Sequence, residues 1–155
     1  MSMLRGASVA MAACLVVAAV GSAQEKRIKR SDLPPAVEKT VAEVSKGATI
    51  KGFSQETEKG KTTYEAEMIV NGHSKDVEME ANGTIVEVEQ EVALEALPAD
   101  VKAGLNGKAA GGTILKVESL TKGGKLVAYE AQVRTSGKRR EIQVGPDGKP
   151  LDHEE

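Results

Sequence analysis

Apolar and polar residues alternate along two long stretches of the chain, which is the pattern of β-strands with one buried face. The first stretch covers residues 64–88 and the second covers residues 129–151. The two stretches align at a spacing of 65 residues, so that Tyr64 matches Tyr129. A repeat at a fixed spacing predicts two copies of one structural unit.

Each copy begins with a helix signal. Leu33-Pro34-Pro35 opens the first helix, because proline is tolerated in a first turn, where its missing N–H would have no partner. Val37, Val41 and Val44 then form one apolar stripe at helical spacing. Leu97-Pro98 repeats the opening in the second copy, which predicts a second helix there.

The second helix has weaker sequence support than the first. Gly104 and Gly107 lie inside it, and glycine in a helix interior costs about 1 kcal/mol against alanine. Lys108 also stands where the first helix has Val44. We therefore expect this helix either to be held largely by packing or to be short and frayed.

These elements predict an α+β fold, a tandem repeat of one helix plus a three- to four-stranded antiparallel meander. Since a copy of about 60 residues is marginally stable alone, we expect both helices to be packed on one face of a continuous sheet. Pro146 and Pro150 leave open whether the second copy has a fourth strand. The predicted segments are a signal peptide (1–23), a basic lead-in (24–31), a first repeat (32–90), a linker (91–96), a second repeat (97–151) and a tail (152–155).

The first 23 residues indicate a signal peptide for export. Arg5 supplies the positive start, residues 7–20 are uncharged and largely apolar, and Gly21-Ser22-Ala23 gives a small-residue cleavage site. The apolar run is shorter than the roughly 20 residues of a membrane span. Cys14 is the only cysteine, so cleavage would leave no disulfide and no thiolate nucleophile. We expect a periplasmic or secreted protein, with a retained signal as the alternative.

Charge and aromatic content argue against nucleic acid as the partner. Without residues 1–23 the chain has 20 basic and 23 acidic residues and a net charge of −3, whereas a nucleic-acid backbone requires a basic surface. Phe53, Tyr64 and Tyr129 are the only aromatic residues. Stacking platforms for bases or sugars are therefore nearly absent from the sequence.

The sequence offers no catalytic constellation. His73 and His153 are the only histidines, one beside a predicted hairpin tip and the other near the end of the chain. A triad needs a histidine held between a nucleophile and an acid. Residues 152–155 could catch a metal ion weakly, but a catalytic zinc site needs three fixed ligands. We therefore predict a protein that is not an enzyme and has no cofactor or resident metal.

The outward-facing charges differ between the two copies. Four glutamates alternate along two strands of the first copy, where a solvated outer face is the ordinary explanation. Carboxylates on adjacent strands repel one another, so the other interpretation is an acidic surface that a basic partner relieves. The corresponding part of the second copy is mixed to basic. The candidate binding face consists of Glu65, Glu67, Glu78, Glu80, Arg134 and Arg139.

The order of these elements resembles the PepSY-like domains, particularly the duplicated exported form related to β-lactamase-inhibitor folds. The resemblance covers residues 32–151 and rests on the two Leu-Pro openings, on Tyr64 with Tyr129, and on turns at Gly83 and Gly148. It implies an export-compartment module that binds proteins and restrains peptidases, without catalytic or cofactor residues of its own. The weak helix and the missing last strand of the second copy depart from the pattern.

The sequence leads to two functional hypotheses. The first is a non-enzymatic exported binding module that engages a peptidase or another envelope protein through its open sheet face. Such a protein would have a protein partner, no nucleic-acid partner and no stable membrane insertion after signal cleavage. The alternative is a periplasmic protein that binds a small ligand or a divalent cation through the same carboxylates. The partner, any inhibitory activity and the oligomeric state stay open.

Overall fold

The computed structural model describes residues 25–153 and residue 155, and the predicted signal peptide lies outside them. The described residues form one antiparallel sheet of eight strands that lie side by side in chain order. The strands are β1 (Lys26–Ile28), β2 (Thr49–Glu58), β3 (Lys61–Val70), β4 (His73–Glu80), β5 (Ile85–Glu91), β6 (Thr113–Lys122), β7 (Lys125–Thr135) and β8 (Lys138–Val144). The helices are α1 (Pro35–Val44) and α2 (Ala99–Ala109), with 3₁₀ turns at Arg30–Asp32 and Leu94–Ala96. Neither helix is long and apolar enough to cross a membrane.

The predicted fold class is wrong. The described residues do not form a tandem repeat of a helix and a short meander. They form a single eight-stranded sheet with two helices of only 10 and 11 residues. β5 pairs with β6 from Glu87↔Lys122 to Glu91↔Glu118, so the hydrogen-bonded ladder crosses the boundary between the two sequence copies. Similar sequence at a fixed spacing did not define a separate structural unit here, because continuous backbone pairing joins all the strands.

Helix α1 packs on the part of the sheet formed by β2, β3 and β4. Its Val37 and Val41 are buried in one hydrophobic cluster with Phe53, Ala66 and Val77. The three strand residues pair in register, Phe53 with Ala66 and Ala66 with Val77, and so form an apolar row under the helix. Their sequence neighbours consequently point to the opposite face.

Helix α2 packs on the part formed by β6, β7 and β8. Its Val101 and Leu105 are buried in a second cluster with Ala131 and Ile142, which pair in register. The strand pairing between the two clusters keeps both apolar rows on the same side of the sheet. Both helices therefore cover one face, and the opposite face, which we call the open face, carries no helix.

The turn that follows β8 approaches the backbone of α2 closely. Gly148 has a φ of +79°, and a Cβ there would lie 2.1 Å from the carbonyl oxygen of Asp100. A Cβ on Gly104 would lie 2.0 Å from the carbonyl oxygen of Gly148. Gly104, which weakens the helix by propensity, is therefore required by this contact. Gly83 approaches α1 in the same way, since its Cβ would lie 2.6 Å from the carbonyl oxygen of Ala36.

The end of α2 is fixed to β8 by two basic side chains. The Arg140 guanidinium donates hydrogen bonds of 2.8 and 3.1 Å to the carbonyl oxygens of Lys108 and Ala109. A cation at this position also suits the negative end of the helix dipole. Lys108 in turn donates from Nζ to the carbonyl oxygen of Gln143 at 2.9 Å. These contacts explain how the helix reaches Ala109 despite its poor propensity.

Part of the predicted basic lead-in belongs to the sheet. β1 pairs with β2 through Arg27↔Ser54 and Ile28↔Phe53, and Ile28 packs against the cluster under α1. Arg27 is consequently turned toward the open face. At the other edge, the described residues after Val144 contain no further strand.

Candidate binding face

The open face gathers carboxylates from neighbouring strands. In one row Glu65 on β3 pairs with Glu78 on β4, which pairs with Glu87 on β5. The next row places three more carboxylates in register on the same strands. Like charges therefore stand side by side at the roughly 5 Å spacing of adjacent strands. We call the following residues the acidic face: Glu56, Glu65, Glu67, Asp76, Glu78, Glu80, Glu87 and Glu89.

The structure brings the four predicted glutamates together and places the two predicted arginines elsewhere on the open face. All four glutamates belong to the acidic face. Arg134 and Arg139 are exposed and lie directly opposite each other on β7 and β8. We call these two arginines the basic corner. That either group binds a partner remains a prediction.

Sequence reasoning missed the carboxylates at the centre of the open face. Asp76, Glu87 and Glu89, with Glu56 on β2, complete the acidic face, and Glu118 and Glu130 continue it onto β6 and β7. Alternation along each strand already turns these residues outward. Their proximity depends on which strands pair and in what register, and the hydrophobic pattern of a single strand does not carry that information.

A cavity of about 190 Å³ opens on the acidic face. Carboxylates dominate its lining, and it includes no lysine or arginine among the described residues. Within it, Ser54 Oγ donates a hydrogen bond of 2.7 Å to Glu65 Oε2. The lining residues are Glu25, Ser54, Glu56, Thr63, Glu65, Asp76, Glu78, Glu87 and Glu89.

Burial and mutual repulsion raise the proton affinity of the central carboxylates. Burial, followed by the charge of Glu118, raises the pKa of Glu89 to about 8. The same two causes raise the pKa of Asp76 to about 6. Burial also raises the pKa of Glu65, against an opposing hydrogen bond. At neutral pH Glu89 therefore keeps its proton for most of the time, because its neighbours disfavour a further negative charge.

A partly buried ion pair lies beside these carboxylates. Glu118 is only 4% exposed, and its Oε1 accepts hydrogen bonds from Lys116 Nζ at 2.7 Å and from Ser74 Oγ at 3.2 Å. Burial opposes the charge on Lys116, but the hydrogen bond to Glu118 and the surrounding carboxylates outweigh it and raise the pKa of Lys116. Removing either partner would leave an uncompensated charge in this place.

Basic side chains pair with the acidic face at its rim. Arg27 Nη1 lies 2.5 Å from Glu67 Oε1. Gly52 leaves room for this guanidinium, since a Cβ at Gly52 would lie 2.4 Å from Nη1. Lys61 Nζ lies 2.7 Å from Glu80 Oε1, and the hydrogen bond between them lowers the pKa of Glu80. The rim carboxylates are thus partly neutralised, whereas those in the cavity are not.

The described residues include two groups of three carboxylates whose spacing suits a cation. In each group one oxygen from every residue lies within 4.8 Å of the others. Two oxygens bound to one calcium ion at its usual distances are at most about 5 Å apart. The groups are Glu25 with Glu65 and Glu67, and Asp76 with Glu89 and Glu118.

The two histidines each approach one carboxylate. His73 Nδ1 lies 3.6 Å from Glu91 Oε1, and His153 Nε2 lies 3.7 Å from Glu155 Oε1. Both histidines are exposed. Glu154, one of the four residues of the predicted weak metal-binding tail, lies outside the described residues.

The eight-stranded antiparallel sheet and its two helices define a BLIP-like fold. Solved structures of bacterial proteins share it with TM-scores of 0.55 to 0.62 and sequence identities of 19 to 21%. Identity at this level shows the fold alone. No protein-family model matches the chain, and no curated protein matches it.

These three structures come from the genus Bacteroides. A protein of Bacteroides eggerthii that is named as periplasmic has a TM-score of 0.62 and 19% identity, over 77% of this chain and 86% of its own. A DUF2874 family protein of Bacteroides ovatus has a TM-score of 0.60 and 20% identity, over 77% and 85%. A BLIP-like protein of Bacteroides fragilis has a TM-score of 0.55 and 21% identity, over 75% and 81%. The relation to PepSY-like domains stays a prediction.

Proposed function

We propose that the chain is an exported, non-enzymatic, PepSY-like binding protein whose acidic face engages a basic segment of a peptidase or another envelope protein. The observation that carries this proposal is the alignment of carboxylates on β3, β4 and β5, row by row, around a cavity whose described lining contains no cation. Like charges directly opposite one another destabilise a sheet. A basic partner would remove that repulsion.

Export is supported by sequence and by structural likeness. Residues 1–23 have the pattern of a signal peptide. The similar structure from Bacteroides eggerthii belongs to a protein named as periplasmic, and none of the three similar proteins described above has an enzyme's name. We therefore place the protein in the periplasm or outside the cell and assign it a binding function.

The chain itself illustrates how a basic strand meets this surface. β1 runs along the edge of the sheet and lays Arg27 over Glu67 at 2.5 Å. Arginine suits such a contact because its planar guanidinium presents several donors in the geometry of a carboxylate. A partner segment with arginine or lysine at alternate positions would reach the cavity carboxylates in the same manner.

Replacing Glu65 and Glu78 together by glutamine should weaken binding of an arginine-rich peptide about tenfold, which corresponds to about 1.4 kcal/mol. The two side chains line the cavity and pair across β3 and β4, so the change removes charge from its wall while keeping shape. The measurement is a peptide titration by fluorescence anisotropy at low ionic strength. Added salt should weaken binding to the unmodified protein, because ions screen exposed charges.

The control is a protein with Glu43 and Glu95 replaced by glutamine. These residues are exposed on α1 and in the 3₁₀ turn before α2, so the net charge changes equally while the acidic face stays intact. Equal affinity of the cavity and control variants for the peptide would refute the proposed role of the acidic face.

Binding of a divalent cation is the second candidate function. It is favoured by the two groups of three carboxylates whose oxygens lie within 4.8 Å of one another. Calcium takes several oxygen ligands, so a group of three would be completed by water or by further carboxylates.

With calcium at about ten times its dissociation constant, the free energy of unfolding should rise by about 1.4 kcal/mol and the melting temperature by about 3 to 6 °C. The Glu89→Gln variant should lose this shift, because Glu89 belongs to the more buried group. A melting temperature that does not respond to calcium, magnesium or manganese would remove this candidate and leave the protein-binding proposal untouched.

A further inference from the structure

The basic corner is a second charged surface that the binding of a basic segment does not use. Arg134 and Arg139 face each other directly across β7 and β8, and both are exposed. Neither forms an ion pair within the described part of the chain. Opposed like charges destabilise a strand pair, so an anionic partner would relieve this pair as a basic one relieves the acidic face.

The hairpin does not need these charges in order to form. At the 65-residue spacing, the positions of Arg134 and Arg139 correspond to Ile69 and Ser74, which pair on β3 and β4. An uncharged pair thus serves in the equivalent hairpin. The two arginines are therefore not required for the turn to form, and their role is sought at the surface.

The acidic face and the basic corner occupy diagonal ends of the same open face. β4 and the β7–β8 pair are three to four strands apart in the sheet, which at about 4.8 Å per strand is roughly 14 to 19 Å. Along the strands, the row of Glu78 and Glu87 continues to Lys122, beside the β6–β7 turn. Arg134 lies at the opposite end of β7.

We propose that the open face binds a second copy of this chain in a two-fold dimer, with the acidic face of each copy on the basic corner of the other. A face with one acidic and one basic region complements itself under a two-fold axis that lies between the copies and exchanges the two regions. Such an interface is isologous, so the contact between acidic face and basic corner forms twice and the assembly closes at two subunits.

The open face offers area for a modest interface. From β2 to β8 the sheet is roughly 29 Å wide, and seven residues of strand are roughly 24 Å long, which gives roughly 700 Å² per copy. The end of the chain lies on part of this face, where the Glu155 N–H donates to Gln143 Oε1 at 2.8 Å and Lys122 Nζ lies 3.5 Å from Glu155 Oε2. Because specific protein interfaces bury about 800 Å² per partner, the remaining area suits a weak dimer. Since polar and charged groups dominate the face, the association should be reversible and sensitive to salt.

This inference rests on the proposed function in that it names one occupant of the acidic face. A dimer would cover the face and compete with any other basic partner. The arginine-rich peptide described above should therefore dissociate the dimer as it binds.

Sedimentation velocity of the purified protein tests the proposal. From about 5 to about 200 µM, in about 50 mM salt, we expect a concentration-dependent rise toward twice the monomer mass, with reversal in about 500 mM salt. Two variants, Arg134→Glu with Arg139→Glu and Glu78→Lys with Glu87→Lys, should each raise the dissociation constant at least about thirtyfold, because like charges would meet. An equimolar mixture of the two variants should form a heterodimer, since each reversed surface then meets its complement.

The control replaces Lys39 and Lys46 by glutamate. Both lysines are exposed at α1, on the other side of the sheet, so the net charge changes as in the arginine variant and dimerisation should persist. A wild-type protein that stays monomeric throughout, or single variants that dimerise as well as the wild type, would overturn the proposal. If the arginine variant is monomeric or the wild type never dimerises, binding of the arginine-rich peptide by the same protein still tests the proposed function separately.

Discussion

Replacing Gly148 by alanine should lower the free energy of unfolding by about 3 to 5 kcal/mol. Two causes act together. The backbone at Gly148 has a φ of +79°, which a residue with a Cβ adopts only under strain. The new methyl group would also lie 2.1 Å from the carbonyl oxygen of Asp100, so the turn after β8 and helix α2 would have to separate. Urea unfolding followed by circular dichroism measures the loss.

Gly137→Ala is the matched control for this effect. Gly137 has nearly the same φ, +80°, but a Cβ there would meet no atom within 4 Å. It should cost only the conformational penalty of about 1 kcal/mol. If both substitutions cost the same, the close approach of the turn to α2 does not contribute to stability, and the packing described for Gly104 would need revision.

The local elements of this fold could be predicted from the sequence, because each depends on neighbouring residues. The apolar spacing of Val37 and Val41 predicted α1, which is confirmed from Pro35 to Val44. The dipeptide Asn71-Gly72 likewise specifies the tight turn between β3 and β4, since both residues have the positive φ that such a turn requires. The interpretation of Gly104 as a weak point was incomplete, because its contact with the turn at Gly148 joins residues that are distant in sequence.

The arrangement of strands could not be predicted in the same way. β1 is only three residues long and lies in a basic segment, so its local pattern does not distinguish a strand from a tail. The alternation of apolar and polar residues likewise does not specify that β5 pairs with β6 rather than with another strand edge. Both choices decide which carboxylates become neighbours, and for that reason the sequence identified Glu65 and Glu78 but missed the importance of Glu89.

Raising the pH from 5 to 8.5 should destabilise the folded protein by about 2 kcal/mol, less than the full pKa change of Glu89 implies because this side chain is only partly withdrawn from water. The pKa of Glu89 is raised from an ordinary value of 4.5 to about 8 in the folded protein. Above the ordinary value the unfolded chain releases the proton while the folded chain keeps it. Folding therefore becomes less favourable as the pH rises, until the folded carboxyl also ionises near pH 8.

The groups around Glu89 act in the same direction. Asp76 on β4, with a pKa raised from 3.8 to about 6, adds to the loss at lower pH. Burial also raises the pKa of Glu130 on β7. On β6, Glu118 opposes ionisation of Glu89, and Lys116, already paired with Glu118, offsets only part of this repulsion. The carboxylates whose pKa values are lowered change the free energy of unfolding only below about pH 4.5, which lies outside the range from pH 5 to 8.5.

The Glu89→Gln variant isolates the central carboxylate. It should be more stable than the wild type by about 1 kcal/mol at pH 8.5, since a neutral amide replaces a charge that its neighbours repel, and its stability should depend less on pH above 6. Glu80→Gln is the matched control on the same face, because Glu80 is paired with Lys61 and its pKa is lowered. That variant should keep the alkaline loss of the wild type. Urea unfolding of all three proteins at several pH values gives the comparison, and a wild type that gains stability between pH 5 and 8.5 would contradict the mutual repulsion on which the acidic face depends.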